Sequence, residues 1–347
     1  MTTRNRILTT SCAALLALSL GGLSACTSAN DTSAAPSSST AADAASTSWP
    51  REITTVDGSG ASTEVTLESQ PQRIVSASVT LTGSLLALDA PVVGSGGGQA
   101  ASPIFSDEEG FGEQWVDIAR EENVAPLYQI EPNVEAILAQ NPDLVVMSNV
   151  GQDSAVSVYD QLAAVVPVIV IDYSNQSWEE ITTYLGEVTG REDKATELIT
   201  GFEDSVEKAA AAITLPPQPV NIISLSRDGG VNFFTPESAQ GTLFSELGFD
   251  VAVPAEELIG TTAQGGNRSD IKGVNQENVA PALQGETVFV MNLDPGTPAE
   301  DIVRTNPALV ENPAVAANRV VGLFPESFRL DYFSATMLVD FLQKEYS

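Results

Sequence analysis

From Arg73 to the C-terminus, short apolar runs rich in β-branched residues alternate with stretches whose apolar positions recur at helical spacing. In the first half the runs are 73–78 (RIVSAS), 91–94 (PVVG), 143–147 (DLVVM) and 167–172 (PVIVID), separated by helical patterns at 81–88, 134–140 and 154–164. This alternation predicts a parallel sheet with helices on its faces. A second series begins at Val220 with 221–224 (NIIS), 231–235 (VNFFT), 287–291 (TVFVM) and 319–324 (RVVGLF), and ends in a helical pattern near 331–344. The fold class is therefore α/β, with two Rossmann-like lobes.

Between the two series, 191–213 (REDKATELITGFEDSVEKAAAAI) has no proline and carries apolar residues at Leu198, Phe202, Val206, Ala209 and Ala210. One long helix is predicted here, stopped by Leu215-Pro216-Pro217. The expected division is a first lobe over 50–190, an inter-lobe helix over 191–213 and a second lobe over 214–347. An internal echo fits it: Asn133-Val134-Glu135 and Asn275-Gln276-Glu277 each open a helical pattern, followed by strands ending at Met147 and Met291. Each unit puts a glutamate in the first turn of a helix.

The N-terminus changes the picture of where the chain works. Arg4 and Arg6 precede an uncharged, mostly apolar stretch closing on Leu23-Ser24-Ala25-Cys26, the pattern of a signal peptide (1–25) with a lipobox. Processing would leave Cys26 as the lipid-bearing residue (palmitate) and remove Cys12, so no disulfide would form within the chain. The next segment, 26–49, is built almost wholly of Thr, Ser, Ala, Asn, Asp and Pro and reads as a flexible tether. The expected location is extracytoplasmic, on a membrane through the N-terminal lipid.

Charge and missing residues exclude several functions. The sequence carries −31, and without Arg4 and Arg6 thirteen basic residues face 46 acidic ones, a net −33. Nucleic acid is not a partner for such a chain. With no histidine, Ser-His-Asp and Cys-His mechanisms are unavailable, as is the commonest metal ligand. No G-x-S-x-G elbow or Walker A loop is present, and 94–98 (GSGGG) lacks the spacing of a phosphate loop. Carboxylates are plentiful, yet no pair stands out for hydrolysis. Tyr128, Tyr159, Tyr173 and Tyr332 are conceivable iron ligands but read better as core or interface aromatics. No cofactor is expected.

Specific runs then point to a family. They are Trp49-Pro50-Arg51-Glu52-Ile53-Thr54, 68–88 (ESQPQRIVSASVTLTGSLLAL), 89–92 (DAPV), Leu127-Tyr128, 159–162 (YDQL), 215–220 (LPPQPV), 235–241 (TPESAQG), Leu247-Gly248-Phe249 and 328–335 (FRLDYFSA). In these the chain closely resembles the ferric-enterobactin-binding proteins of siderophore ABC importers, over nearly everything after the tether. The resemblance implies a class III periplasmic binding protein, not an enzyme. Such a protein is a monomer that takes a ferric catecholate siderophore and hands it to an ABC permease. Iron would enter only inside that ligand, which supplies all its own donors.

A ferric tris-catecholate is a bulky trianion with aromatic faces, so its site needs guanidinium groups and aromatic side chains. The resemblance places Arg329, Phe328, Arg268 and Phe234 at the cleft, the last where the family has a tryptophan; Phe105 is a further stacking candidate. Since neighbours on a strand face opposite ways, one of Phe233 and Phe234 is expected to be partly exposed. The competing account of Arg329 is a surface ion pair with Glu326 or Asp331. Glu135 and Glu277 match the positions at which the family meets arginines of the permease, while helix-start charges are the simpler account. The chain departs from the family at 100–106 (AASPIFS), which has no arginine. Other siderophores, haem or cobalamin, and more distantly a siderophore esterase, remain the alternatives.

Overall fold

The apolar runs become strands covered on both faces, which is why they show no polar alternation. The structure, a computed structural model, describes residues 48–347 except 101, 261–268 and 295. Cys26, Arg268 and the segment 1–25 expected to be a signal peptide lie outside the described residues.

The chain opens with an antiparallel hairpin, β1 (Arg51–Val56) and β2 (Ser62–Leu67). The first lobe continues through β3 (Ile74–Ser76), α1 (Val79–Ala87), β4 (Val92–Gly97), α2 (Val116–Glu121), β5 (Ala125–Gln129) and α3 (Val134–Ala139). It is completed by β6 (Leu144–Ser148), α4 (Tyr159–Ala163) and β7 (Val168–Ile171). Its strands are all parallel in the order β5-β4-β3-β6-β7. The hairpin lies against the outer edge of β7, where the Thr55 hydroxyl donates to the Val170 carbonyl and accepts the Val170 N–H, both at 2.9 Å. An edge that would otherwise offer free backbone groups is thereby blocked.

Two helices follow, α5 (Trp178–Thr189) and α6 (Glu192–Ala212), the latter standing where 191–213 predicts a single long helix. The second lobe contains β8 (Val220–Leu225), β9 (Val231–Phe234), α7 (Ala239–Glu246), β10 (Ile271–Val274), α8 (Val279–Ala282) and β11 (Thr287–Met291). After these come α9 (Ala299–Thr305), α10 (Pro313–Ala316), β12 (Val320–Gly322) and α11 (Tyr332–Tyr346). The strand order is β10-β9-β8-β11-β12. Here β8, β11 and β12 are parallel, but β9 returns antiparallel to β8 after a tight turn, so this sheet is mixed.

Each sheet divides two cores. In the first lobe Ile74, Leu144, Val146 and Ile169 face one core, and Val75, Val145, Met147 and Val168 face the other. In the second, Ile222, Phe234, Phe289 and Met291 face one, and Ile223, Phe233, Val288 and Val290 the other. This corrects the expectation for the phenylalanine pair. Both are buried, Phe233 at 0 % and Phe234 at 2 % exposure, because helices cover both faces of their sheet.

The inter-lobe helix changes cores along its length: Ala195 and Leu198 pack in the first lobe, Phe202, Val206 and Ala209 in the second. It does not act alone. In α5, Trp178 packs with the second-lobe core while Ile181, Leu185 and Val188 pack with the first, and Tyr332 at the start of α11 touches both.

Candidate ligand-binding cleft

The chain between β12 and α11 is held at both ends and free in the middle. After β12, Pro325–Phe328 form a 3-10 turn with proline at its start, where a missing N–H costs nothing. The Gln240 amide of α7 donates to the carbonyls of Ser327 and Phe328, each at 2.8 Å. Three residues on, Asp331 caps α11 by accepting the Ser334 N–H at 2.8 Å, while the Ser334 hydroxyl accepts the Asp331 N–H at 2.9 Å. Arg329 lies between these fixed points, extended and exposed.

Its guanidinium crosses to the first lobe. Nη1 donates to Thr80 Oγ1 at 3.0 Å, and Cζ stands 4.4 Å from the centroid of the Tyr173 ring. Thr80 is in the first turn of α1, just beyond β3, and Tyr173 is just beyond β7. Asp153, beyond β6, joins them: its Oδ1 accepts the Tyr173 hydroxyl at 2.8 Å and its Oδ2 the Thr80 N–H at 2.9 Å. The site therefore forms at the carboxyl ends of parallel strands, the usual place for ligands in open α/β sheets. Arg329 makes no bond to Asp331, whose carboxylate is spent on α11 and on Gln114 Nε2 at 2.9 Å.

The aromatic candidates occupy different depths. Phe328 is half-buried, its ring edge-on to Phe234 with centroids 5.9 Å apart. Phe234 is therefore a support beneath Phe328 rather than a surface. Phe105 is half-buried against the first-lobe core, and a Cβ at Gly98 would stand 2.2 Å from its ring. That close approach explains the end of the glycine run, whose earlier members are β4 itself and not a phosphate loop. The loop carrying Phe105 is held by Glu109, which takes Arg120 Nε and Nη2 at 2.9 and 3.0 Å and the Ser106 hydroxyl at 2.8 Å. Arg120 holds the Glu109 carboxyl down at about 2. On the second lobe, burial and then Glu113 push the Glu326 carboxyl up.

Glu135 is exposed in the first turn of α3, whose N-cap Asn133 accepts the Ala136 N–H at 3.0 Å. Glu277 is exposed in the 3-10 turn Gln276–Asn278 that leads into α8. The Tyr128 hydroxyl is spent on the Ala77 carbonyl at 2.7 Å, and Tyr332 packs its ring on Trp178 as an interface aromatic. Among the described residues no group of three or more His, Cys, Asp or Glu could hold a metal ion. Thr80, Asp153 and Gln240 are the site residues that sequence reasoning missed, and Tyr173 is weighed there only as an iron ligand or a core or interface aromatic. The signal was position: Tyr173 and Asp153 closely follow runs that read as parallel strands.

Asp331 yields a prediction about stability. It is 7 % exposed, and burial pushes its carboxyl above the ordinary range against the opposing bonds from Ser334 and Gln114. A carboxyl raised on folding contributes stability that is full at low pH and lost as pH rises through its folded value. Asp331→Asn, neutral throughout, can keep the cap, and a reversed Gln114 amide would give the now unpartnered Gln114 Oε1 a donor. Unfolding midpoints of Asp331→Asn are therefore expected to match the wild type near the ordinary aspartate value of about pH 4 and to exceed it as pH rises above that value. Asp331→Ala, which strips the cap and leaves buried donors unpaired, is expected to cost about 1–3 kcal/mol.

A cavity of about 470 Å³ opens elsewhere, at the ends of β8 and β11, with Arg227 and Asp294 at its rim. Among the described residues, none of the expected ligand residues lines it. Comparison with known proteins shows the family. The family model described as periplasmic binding protein matches residues 74–326. The ferric enterobactin-binding periplasmic protein FepB of Escherichia coli O6:H1 is 44 % identical over 296 residues, 85 % of this chain and 90 % of that protein. The probable siderophore-binding lipoprotein YfiY of Bacillus subtilis is 27 % identical over 190 residues, 53 % of each chain. Among solved structures, holo-ViuP matches with a TM-score of 0.74 at 30 % identity, covering 86 % of this chain and 96 % of that one. The complex of Staphylococcus aureus SirA with staphyloferrin B shares the fold, with a TM-score of 0.65 at 20 % identity and coverage of 86 % and 99 %.

Proposed function

This chain belongs to the periplasmic binding protein family, and on that premise we propose that it captures a ferric catecholate siderophore and delivers it to an ABC permease. It is a solute-binding protein, not an enzyme. The observation that carries the catecholate reading is the 44 % identity to an enterobactin-binding protein over most of both chains. The geometry supports it, with Arg329 and Phe328 side by side at the junction of the lobes, the guanidinium over an aromatic ring. A cation and stacking faces are what a trianion built of aromatic rings requires. In this reading Arg329, Phe328 and Phe105 meet the ligand, Phe234 supports Phe328, and Arg268 contributes a second cation. Glu135 and Glu277 meet the permease, and Cys26 carries the lipid that keeps the protein at the membrane.

The test is a titration panel read by tryptophan fluorescence: ferric catecholate, ferric hydroxamate, haem and bare ferric iron. Saturable one-to-one quenching by the catecholate alone is expected. Preference for the hydroxamate or haem would move the assignment within the binding-protein class, and tight binding of bare iron would defeat it. Mass spectrometry of membrane-extracted protein is expected to find a mature chain beginning at lipid-modified Cys26.

A further inference from the structure

We propose that Tyr173 is the platform that holds Arg329 ready for the ligand, and that Asp153 and Gly151 exist at this site to hold Tyr173. The inference rests on the Arg329 reading above and adds residues to it. An exposed arginine ordinarily samples many rotamers, and fixing it on binding costs entropy. Here the guanidinium is already stationed across the junction, 4.4 Å over the Tyr173 ring and bonded to Thr80 Oγ1 at 3.0 Å.

The platform is built rather than incidental. The Tyr173 hydroxyl donates to Asp153 Oδ1 at 2.8 Å, and the other oxygen of the same carboxylate takes the Thr80 N–H at 2.9 Å. The Asp153 carbonyl in turn accepts the Ser78 hydroxyl at 2.6 Å, tying the constellation to the end of β3. Gly151 has φ +81°, and a Cβ there would stand 1.7 Å from the Tyr173 oxygen. Only glycine leaves that space and adopts that backbone without strain. One carboxylate thus fixes both things that Arg329 touches.

Geometry also decides whether Tyr173 competes with the ligand or serves it. A guanidinium stacks through its face and donates hydrogen bonds through its edge, and of its five N–H groups Thr80 occupies one. N–H groups not engaged by Thr80 or the Tyr173 hydroxyl remain for anionic oxygens while the guanidinium stays over the ring. Tyr173 is therefore a positioning residue, with its effect passing through Arg329.

The experiment is a double-mutant cycle between positions 173 and 329 in the full mature protein, with two readouts. Affinity for a ferric tris-catecholate is expected to fall roughly five- to thirtyfold in Tyr173→Leu, the range of a partly desolvated cation–π contact. A smaller loss than in Tyr173→Leu is expected in Tyr173→Phe, which keeps the ring face but gives up the bond to Asp153. In an Arg329→Ala background Tyr173→Leu should change nothing further. Equal losses in both backgrounds, or equal losses in the Phe and Leu variants, would overturn the proposal. The second readout is denaturant unfolding of the ligand-free protein, where the same two positions should be non-additive; additivity there overturns the platform whatever the ligand. A wild type that binds no ferric catecholate yet shows this coupling would sink the proposed function and leave the platform standing. Should Tyr173→Leu not fold, Tyr173→Met removes the ring with less change of shape and is read in the same cycle.

Discussion

Arg329→Ala is expected to weaken binding of a ferric tris-catecholate by about ten- to hundredfold, the loss of a charged hydrogen-bonding partner worth about 1.5–3 kcal/mol. The size follows from where the guanidinium stands. It is exposed, so removing it leaves no buried group unpaired, and the fold should lose little beyond the Thr80 bond and the contact with the Tyr173 ring. On binding, a bulky trianion would shield that position from water and strengthen each remaining charge contact. The sequence carries −31, and Glu326 and Asp153 lie on either side of the junction, so a cation here faces little competition as the attractor of an anionic ligand. Isothermal titration of wild type, Arg329→Ala and Arg329→Lys separates charge from shape. Lysine should recover part of the affinity but not the stacked, edge-donating geometry. Unchanged affinity in the alanine variant would place the ligand elsewhere, with the cavity beside Arg227 and Asp294 the next site to probe.

Much of the fold was legible because the central strands are buried on both faces, and continuous β-branched runs mark such strands well. The strands that escaped notice are at edges. The five residues of β5 include Pro126, tolerated only where a backbone donor is not needed, and β10 is a four-residue strand with a lysine and a glycine. Direction was also hidden. A run such as 231–235 reads the same whichever way it lies, and only the turn at 226–230, with Ser226 N–H closing on nothing longer than a hairpin, makes β9 antiparallel.

The site was legible in its parts and not in its assembly. The family resemblance points to Arg329 and Phe328, of which the first is exposed and the second half-buried. The rule that one of two neighbouring strand residues meets solvent failed at Phe233 and Phe234, because it holds only where a sheet has a free face. Tyr173, Asp153 and Gly151 are each separated from Arg329 by more than about 150 residues of sequence. Each has an ordinary local explanation, and only the crossing of the lobes by α5, α6 and α11 brings them to the arginine.

The double charge reversal Glu135→Arg with Glu277→Arg is expected to abolish uptake while leaving affinity for the siderophore unchanged. The sequence echo that first paired these residues corresponds to equivalent places in the two sheets. In the orders β5-β4-β3-β6-β7 and β10-β9-β8-β11-β12, Glu135 follows the outermost strand β5 and Glu277 the outermost strand β10. The next strands in the chain, β6 and β11, again hold matching positions, on the far side of the central β3 and β8. Because β9 and β10 each reverse direction, β10 runs parallel to β8, and both glutamates sit at the carboxyl end of their sheet. Two exposed carboxylates at equivalent rims suit a partner that grips both lobes at once, such as a permease presenting paired arginines. If the glutamates served only to start helices, each would be worth about 0.3–1 kcal/mol. Asn133 already caps α3, and Glu277 begins no more than a 3-10 turn, so the folded state should survive reversal. Affinity should also survive, since neither residue lies beside Arg329, Phe328 or Tyr173. Transport of labelled ferric siderophore into cells carrying the double variant is the measurement, with each single reversal expected to give partial uptake. Full uptake by a folded double variant would return both residues to the helix-start account.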